Sequence, residues 1–253
     1  MLAQKLAEIH SSYGVYPEEL LQNAKRNIIS DINKISDLAY LAHFFNHYQS
    51  AYLSRCESPS PEIADLKGAA RSIDLPFIGP DVVTSGKAKY MFVFEGSLQK
   101  ANILSMTVLS CFWLIKDDKY YDAQMKRYWG RLDTYHRIKR ELGITLEIAK
   151  QSYVVDSFRM GNKNGNRDTT RNRKLLEEEV KLLKPDLIIL VGSTARDIVG
   201  TRMIKTDNKY VAVPFPANAV PTKTRESAPA LYRQLKDTIE LHESFPNIKN
   251  GLT

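Results

Sequence analysis

Cysteine is scarce in this chain: there are two, Cys56 and Cys111, far apart. Two such residues supply neither a disulfide framework nor a four-cysteine metal or iron–sulfur site. The histidines number five. No apolar run reaches the roughly 20 residues that a bilayer span needs, and the N-terminus carries no signal-peptide pattern. Walker and dinucleotide glycine fingerprints are missing, and Ser, His and Asp form no visible nucleophilic triad. Internal repeats and low-complexity tracts are missing too. The expectation is a reducing, cytoplasmic setting, with no metal, no cofactor and no membrane.

What is present is ordinary in amount and uneven in placement. At 253 residues, the chain is long enough for one large domain, or one domain with a helical extension. A hydrophobic fraction of 43% and a charged fraction of 26% are those of a globular protein. The net charge is +7 and the pI about 9.2, which favours nucleic acid, anionic membrane or acidic partners.

Two patterns divide the chain. From Pro17 to Leu53, apolar residues recur at three- and four-residue spacing, which predicts helix, with Pro17 suited to a first turn. Ser54 to Gly68 carries two prolines and several serines and reads as a linker or irregular crossing. Beyond it come short apolar runs: "YMFVF" (Tyr90 to Phe94), "SYVVD" (Ser152 to Asp156), "DLIILVG" (Asp186 to Gly192) and "YVAVPF" (Tyr210 to Phe215). Helical stretches such as Leu175 to Leu183 separate them. This alternation predicts an α/β sandwich of three layers around a mostly parallel, four-stranded sheet. Residues 1–70 form a helical extension in this reading, and residues 71–253 the α/β domain.

Ligands of such sheets bind beyond the carboxyl ends of the strands. The four strands end in "EGS", "DSF", "GSTA" and "PANA". Glu95 stands at the first end, beside Gly96 and Ser97. A carboxylate there suits water activation, and it equally suits a helix N-cap region. Asp156 ends the second strand and should share the rim with Glu95, either facing a ligand as an acceptor or paired with Arg159. The run Arg159 to Lys174 holds six cations against one acid, Asp168, and its glycines and asparagines expose backbone amides. Phosphate contact fits that composition. Leu114 to Gly143 interleaves Tyr120, Tyr121, Tyr128, Trp129 and Tyr135 with cations; such aromatics serve unstacked bases or core packing. "GSTA", Gly192 to Ala195, is a turn whose amides could meet an anion.

The text "YVVDSFRMGNKNGNRDTTRNRKLLEEEVKLLKPDLIILVGSTA", Tyr153 to Ala195, resembles the uracil-DNA glycosylase superfamily, especially its bacterial and archaeal family 4 and 5 branches. Those proteins follow a strand ending in asparagine with a basic loop ending in "GNR". A helix like "LEEEIELLKPK", an apolar strand and a "GxTA" turn come next. Upstream, "YMFVFEGS" looks like the family's strand leading into "GEAPG"; downstream, "VAVPFPANAV" falls where the family carries "HPS". The likeness spans Lys89 to Val220, about half the chain.

The resemblance implies an enzyme that flips a nucleotide out of DNA and cleaves the bond from sugar to base, and a monomer is expected. Carried over by position, Glu95 would hold water or the sugar cation, Asp156 would read the base, and Asn218 would support base or phosphate. Phe94, Gly96, Ser97, Phe158 and Phe215 would line the base pocket. Arg159, Lys163, Arg167, Arg171 and Arg173, with Ser193, Thr194, Lys223 and Arg225, would hold the DNA. The iron–sulfur cysteines of family 4 have no counterparts, so no cluster is expected.

Two departures shape the substrate expectation. Where the family reads uracil with an asparagine amide, this chain has Asp156, and an ionised carboxylate only accepts hydrogen bonds. It suits an amino-bearing base such as cytosine or a modified cytosine, because a wrongly paired buried polar group costs about 1–3 kcal/mol. Where the family has histidine, this chain has Phe215, and losing one donor to a departing base costs about a hundred- to a thousandfold. The leading expectation is a glycosylase for a modified cytosine, with defence against phage carrying modified DNA as an extension. Its rivals are a uracil or hypoxanthine glycosylase with Asp156 protonated, an inactive DNA-binding protein of the same fold, and an unrelated nucleotide enzyme using Glu95 as base.

Overall fold

The computed structural model of the chain describes residues 2–13, 76–96, 119, 122, 132–158, 169–192, 209–216 and 222–244. The helical stretch expected over Pro17 to Leu53 and the linker after it lie outside these residues. So does most of the aromatic and basic stretch from Leu114.

The elements run α1 (Leu2–Tyr13), β1 (Phe77–Ile78), α2 (Pro80–Ser85), β2 (Tyr90–Gly96), α3 (Leu132–Glu141), α4 (Leu146–Lys150), β3 (Ser152–Phe158), α5 (Thr169–Leu183), β4 (Leu187–Val191), β5 (Lys209–Val213) and α6 (Thr222–Ser244). They build an α/β fold around one sheet in the order β1-β3-β2-β4-β5. The four expected strands are all there and mutually parallel, β3 against β2, β2 against β4, and β4 against β5. The sheet itself is five-stranded and mixed, which corrects the expectation of four parallel strands. β1 adds an antiparallel edge, with Phe77 opposite Val154 and Ile78 opposite Tyr153. A strand of two residues has no alternation to detect.

The centre of the sheet explains itself. Met91 to Phe94 of β2 and Leu187 to Val191 of β4 are buried throughout, as strands covered on both faces must be. Burying each large apolar side chain contributes about 1.5–3 kcal/mol. Helices lie against both faces. Tyr90 and Ser152, register partners on one face, reach Glu243 of α6 and the Ile148 carbonyl of α4 respectively. Tyr153, on the other face, donates to Glu179 of α5, and α1 packs on α5, with His10 reaching Glu179.

Local chemistry fixes the edges. Thr145 caps α4, its hydroxyl oxygen accepting from the Ile148 amide at 3.2 Å. Gly79 links β1 to α2 where a Cβ would stand 2.2 Å from the Lys150 carbonyl oxygen. Only glycine fits that approach, and its N–H donates to Ser152 O at 2.8 Å, holding β1 on the edge of β3. At the N-terminal rim the Ala88 amide donates to Leu183 O, and Lys87 meets Asp186 at 2.6 Å. The C-terminus of α5 therefore sits at that rim, and its N-terminus points to the opposite one.

Candidate active site at the strand ends

Strand order decides where a ligand can enter. From β2 the chain moves outward to β3 on one side, and from β3 it crosses back past β2 to β4. The helices of the two crossovers occupy opposite faces, α4 touching Ser152 and α5 touching Tyr153. The carboxyl ends of β2 and β4 therefore flank a topological switch point, where open α/β sheets form their crevice.

Glu95 and Gly192 meet at that point. Gly192 has φ +103°, a conformation that favours glycine, and a Cβ built on it would lie 3.1 Å from Glu95 Oε2 and 3.3 Å from Glu95 Cβ. The half-buried Glu95 side chain thus lies over bare backbone at the end of β4. On its other flank, the Ser157 hydroxyl donates to the Glu95 carbonyl oxygen at 2.7 Å.

Asp156 occupies the same rim one strand over. It is the register partner of Phe94 and is 1% exposed. Side chains alternate along a strand, so Asp156 shares the face of Phe94, while Glu95 projects from the opposite face. Phe94 in turn meets Phe215, beyond the end of β5, edge to face with ring centroids 6.2 Å apart. Tyr232 of α6 donates to the Pro214 carbonyl at 3.0 Å and so fixes the chain just before Phe215. Burial pushes the Tyr232 phenol up to about 12; Glu141 adds to that shift and Arg137 opposes it.

The structure therefore brings Glu95, Asp156, Phe94 and Phe215 to one rim, with the two carboxylates on opposite faces of the sheet. A buried carboxylate against aromatic rings suits reading a flat polar ring, and a half-buried one at the crevice suits water or a developing cation. Gly96 and Phe158 end their strands side by side, as register partners. Arg171 and Arg173 lie in the first turns of α5, the end that points to this rim. Lys223 and Arg225 lie in the first turn of α6. Ser97, Arg159, Lys163, Arg167, Ser193, Thr194 and Asn218 lie outside the described residues. The Gly192 amide, a candidate anion donor, instead donates to Val213 O at 2.9 Å.

Sequence reasoning passed over Ser157 as a site residue. Its signal was a small hydroxyl one step past the strand-end acid, visible only once β2 lies alongside. Among the described residues, no group of three or more His, Cys, Asp or Glu side chains could hold a metal ion, and no helix is long and apolar enough to cross a membrane. The sequence matches no protein-family model, and no curated protein matches it.

Proposed function

We propose that this chain is a DNA glycosylase of the uracil-DNA glycosylase superfamily that excises an amino-bearing or modified cytosine. The observation that carries the reading is the placement of Asp156, buried at the carboxyl end of β3 beside Phe94, one strand from Glu95 at the switch point. Asp156 accepts from the exocyclic amino group of a flipped base while the aromatic side chains hold its plane. Glu95 orients a water whose oxygen bonds the sugar C1′ as the bond from C1′ to the base nitrogen breaks. The electron pair leaves with that nitrogen, which ends protonated, and the product is an abasic site.

Charge placement supports DNA at this rim. The segment leading from β3 into α5 has six cations for one acid. Phosphates would supply the balance. Defence against phage with modified DNA is the setting that such a substrate fits.

A second reading, a DNA-binding protein without catalysis, is favoured by one observation. Phe215 packs on Phe94 in the position where the resemblance expects a histidine that helps the base depart.

The test is to incubate the protein with duplexes carrying uracil, hypoxanthine, cytosine or modified cytosines and to score alkali-labile breaks. Breaks at modified cytosine, formed far more slowly by Glu95→Gln and Asp156→Ala, are the expected result. Cleavage of uracil alone would overturn the role given to Asp156. DNA binding without cleavage of any duplex would leave the second reading.

A further inference from the structure

Three neighbouring strand ends converge on a single residue. Ser157 on β3, Glu95 on β2 and Gly192 directly after β4 lie side by side just past the last buried apolar layer. Ser157 is 1% exposed, and its hydroxyl ties down the Glu95 carbonyl oxygen from one flank. Gly192 bounds the side chain from the other: a Cβ there would press on it, 3.1 Å from Glu95 Oε2 and 3.3 Å from Glu95 Cβ. Neither contact is needed to complete the ladder, since Gly96 and Phe158 already pair one residue further on.

We propose that Ser157 and Gly192 are positioning residues for Glu95. Ser157 fixes the height and direction of the backbone that carries the carboxylate, and Gly192 leaves room for that carboxylate at the crevice. The inference rests on the glycosylase reading and deepens it, because it says what aims the water-orienting group. Misplacing a reacting group by about 1 Å costs up to a hundredfold in rate. Substrate affinity, set elsewhere by phosphate and base contacts, should not change.

Single-turnover excision and duplex affinity are measured for the wild type, Ser157→Ala, Ser157→Thr, Gly192→Ala, Glu95→Gln and the Glu95→Gln/Ser157→Ala double variant. The modified-cytosine duplex is the substrate. Ser157→Ala is expected to slow excision about tenfold or more at unchanged duplex affinity, with Ser157→Thr recovering most of the loss. In the Glu95→Gln background, Ser157→Ala should cost nothing further, because the group that it aims is gone. Gly192→Ala should be slow in the same way; its left-handed backbone also strains the fold, so its melting temperature is read alongside and the Ser157 series carries the test. Equal losses from Ser157→Ala with and without the Glu95 carboxylate, or no loss in the wild-type background, would overturn the positioning role and leave the glycosylase reading standing. A wild type that excises no base overturns both.

Discussion

His10 Nε2 and Glu179 Oε1 lie 2.7 Å apart with both side chains fully buried, although 169 positions separate them in sequence. The same carboxylate oxygen accepts from the Tyr153 phenol at 2.5 Å. One acid therefore ties α1 and α5 to β3, three residues before Asp156. Removing one partner strands the buried polar atoms of the other and costs about 1–3 kcal/mol, more where the stranded group is charged, whereas replacing all partners with apolar groups is often neutral. His10→Ala and Glu179→Gln should each lower urea stability by about 1–3 kcal/mol. The triple variant His10→Leu, Tyr153→Phe, Glu179→Leu should recover most of it. Native-state hydrogen exchange should place the largest loss of protection in α1 for the single variants.

The opposite rim carries a clamp with a defined pH window. Glu243, near the end of α6, accepts from the Tyr90 phenol and meets Lys89 at 3.0 Å, while Lys89 also stands 5.5 Å over the Tyr90 ring. Partial burial pushes the Glu243 carboxyl up, but the Tyr90 and Lys89 hydrogen bonds outweigh it and hold the group below its ordinary range. A carboxyl lowered in the fold stabilises above its unfolded pKa and loses that contribution as pH falls through the folded one. Burial, then the Glu243 hydrogen bond, raises Tyr90 far above the ordinary phenol. Its contribution is complete below about 10 and fades as the medium becomes more alkaline. Urea stability of Glu243→Gln should therefore fall less steeply than that of the wild type below about pH 4.5, and the two curves should run parallel from pH 6 to 8.

Tyr232 offers a check on the rim itself. With its phenol held neutral up to about 12 and donating to Pro214, it anchors the approach to Phe215. Tyr232→Phe should remove one late-ionising phenol from the alkaline absorbance titration. The half-buried Pro214 carbonyl would lose its partner, at a cost of about 1 kcal/mol in denaturant unfolding.

The parts legible in the sequence were those dictated by local pattern. β2, β3 and β4 are apolar runs because parallel strands inside the sheet are buried on both faces, and their ends could be located from "EGS", "DSF" and "GSTA". β1 was not legible, because Phe77 and Ile78 are strand only by virtue of the β3 edge beside them. The His10–Glu179 pair was hidden for a similar reason: nothing in a 12-residue helix names its partner in α5. At the site, the rim was readable, whereas the opposite-face arrangement of Glu95 and Asp156 required the register. A one-residue offset between neighbouring strands moves a side chain to the other face.

Arg171 and Arg173 sit in the first turns of α5, near the proposed crevice, and Arg173 keeps a 3.4 Å contact to Glu177 one turn on. Lys181 lies about 15 Å further along the same helix, toward the opposite rim and paired with Glu178. Each phosphate contact contributes about −0.9 to the slope of log affinity against log salt. Arg171→Ala and Arg173→Ala should each make that slope shallower by about 0.9 and weaken binding for every duplex sequence alike. Lys181→Ala should leave the slope where it was. Fluorescence anisotropy over a series of salt concentrations distinguishes the cases. Equal slopes in all three variants would move the DNA away from the α5 end of the rim, and with it the reason for placing a flipped base over Asp156.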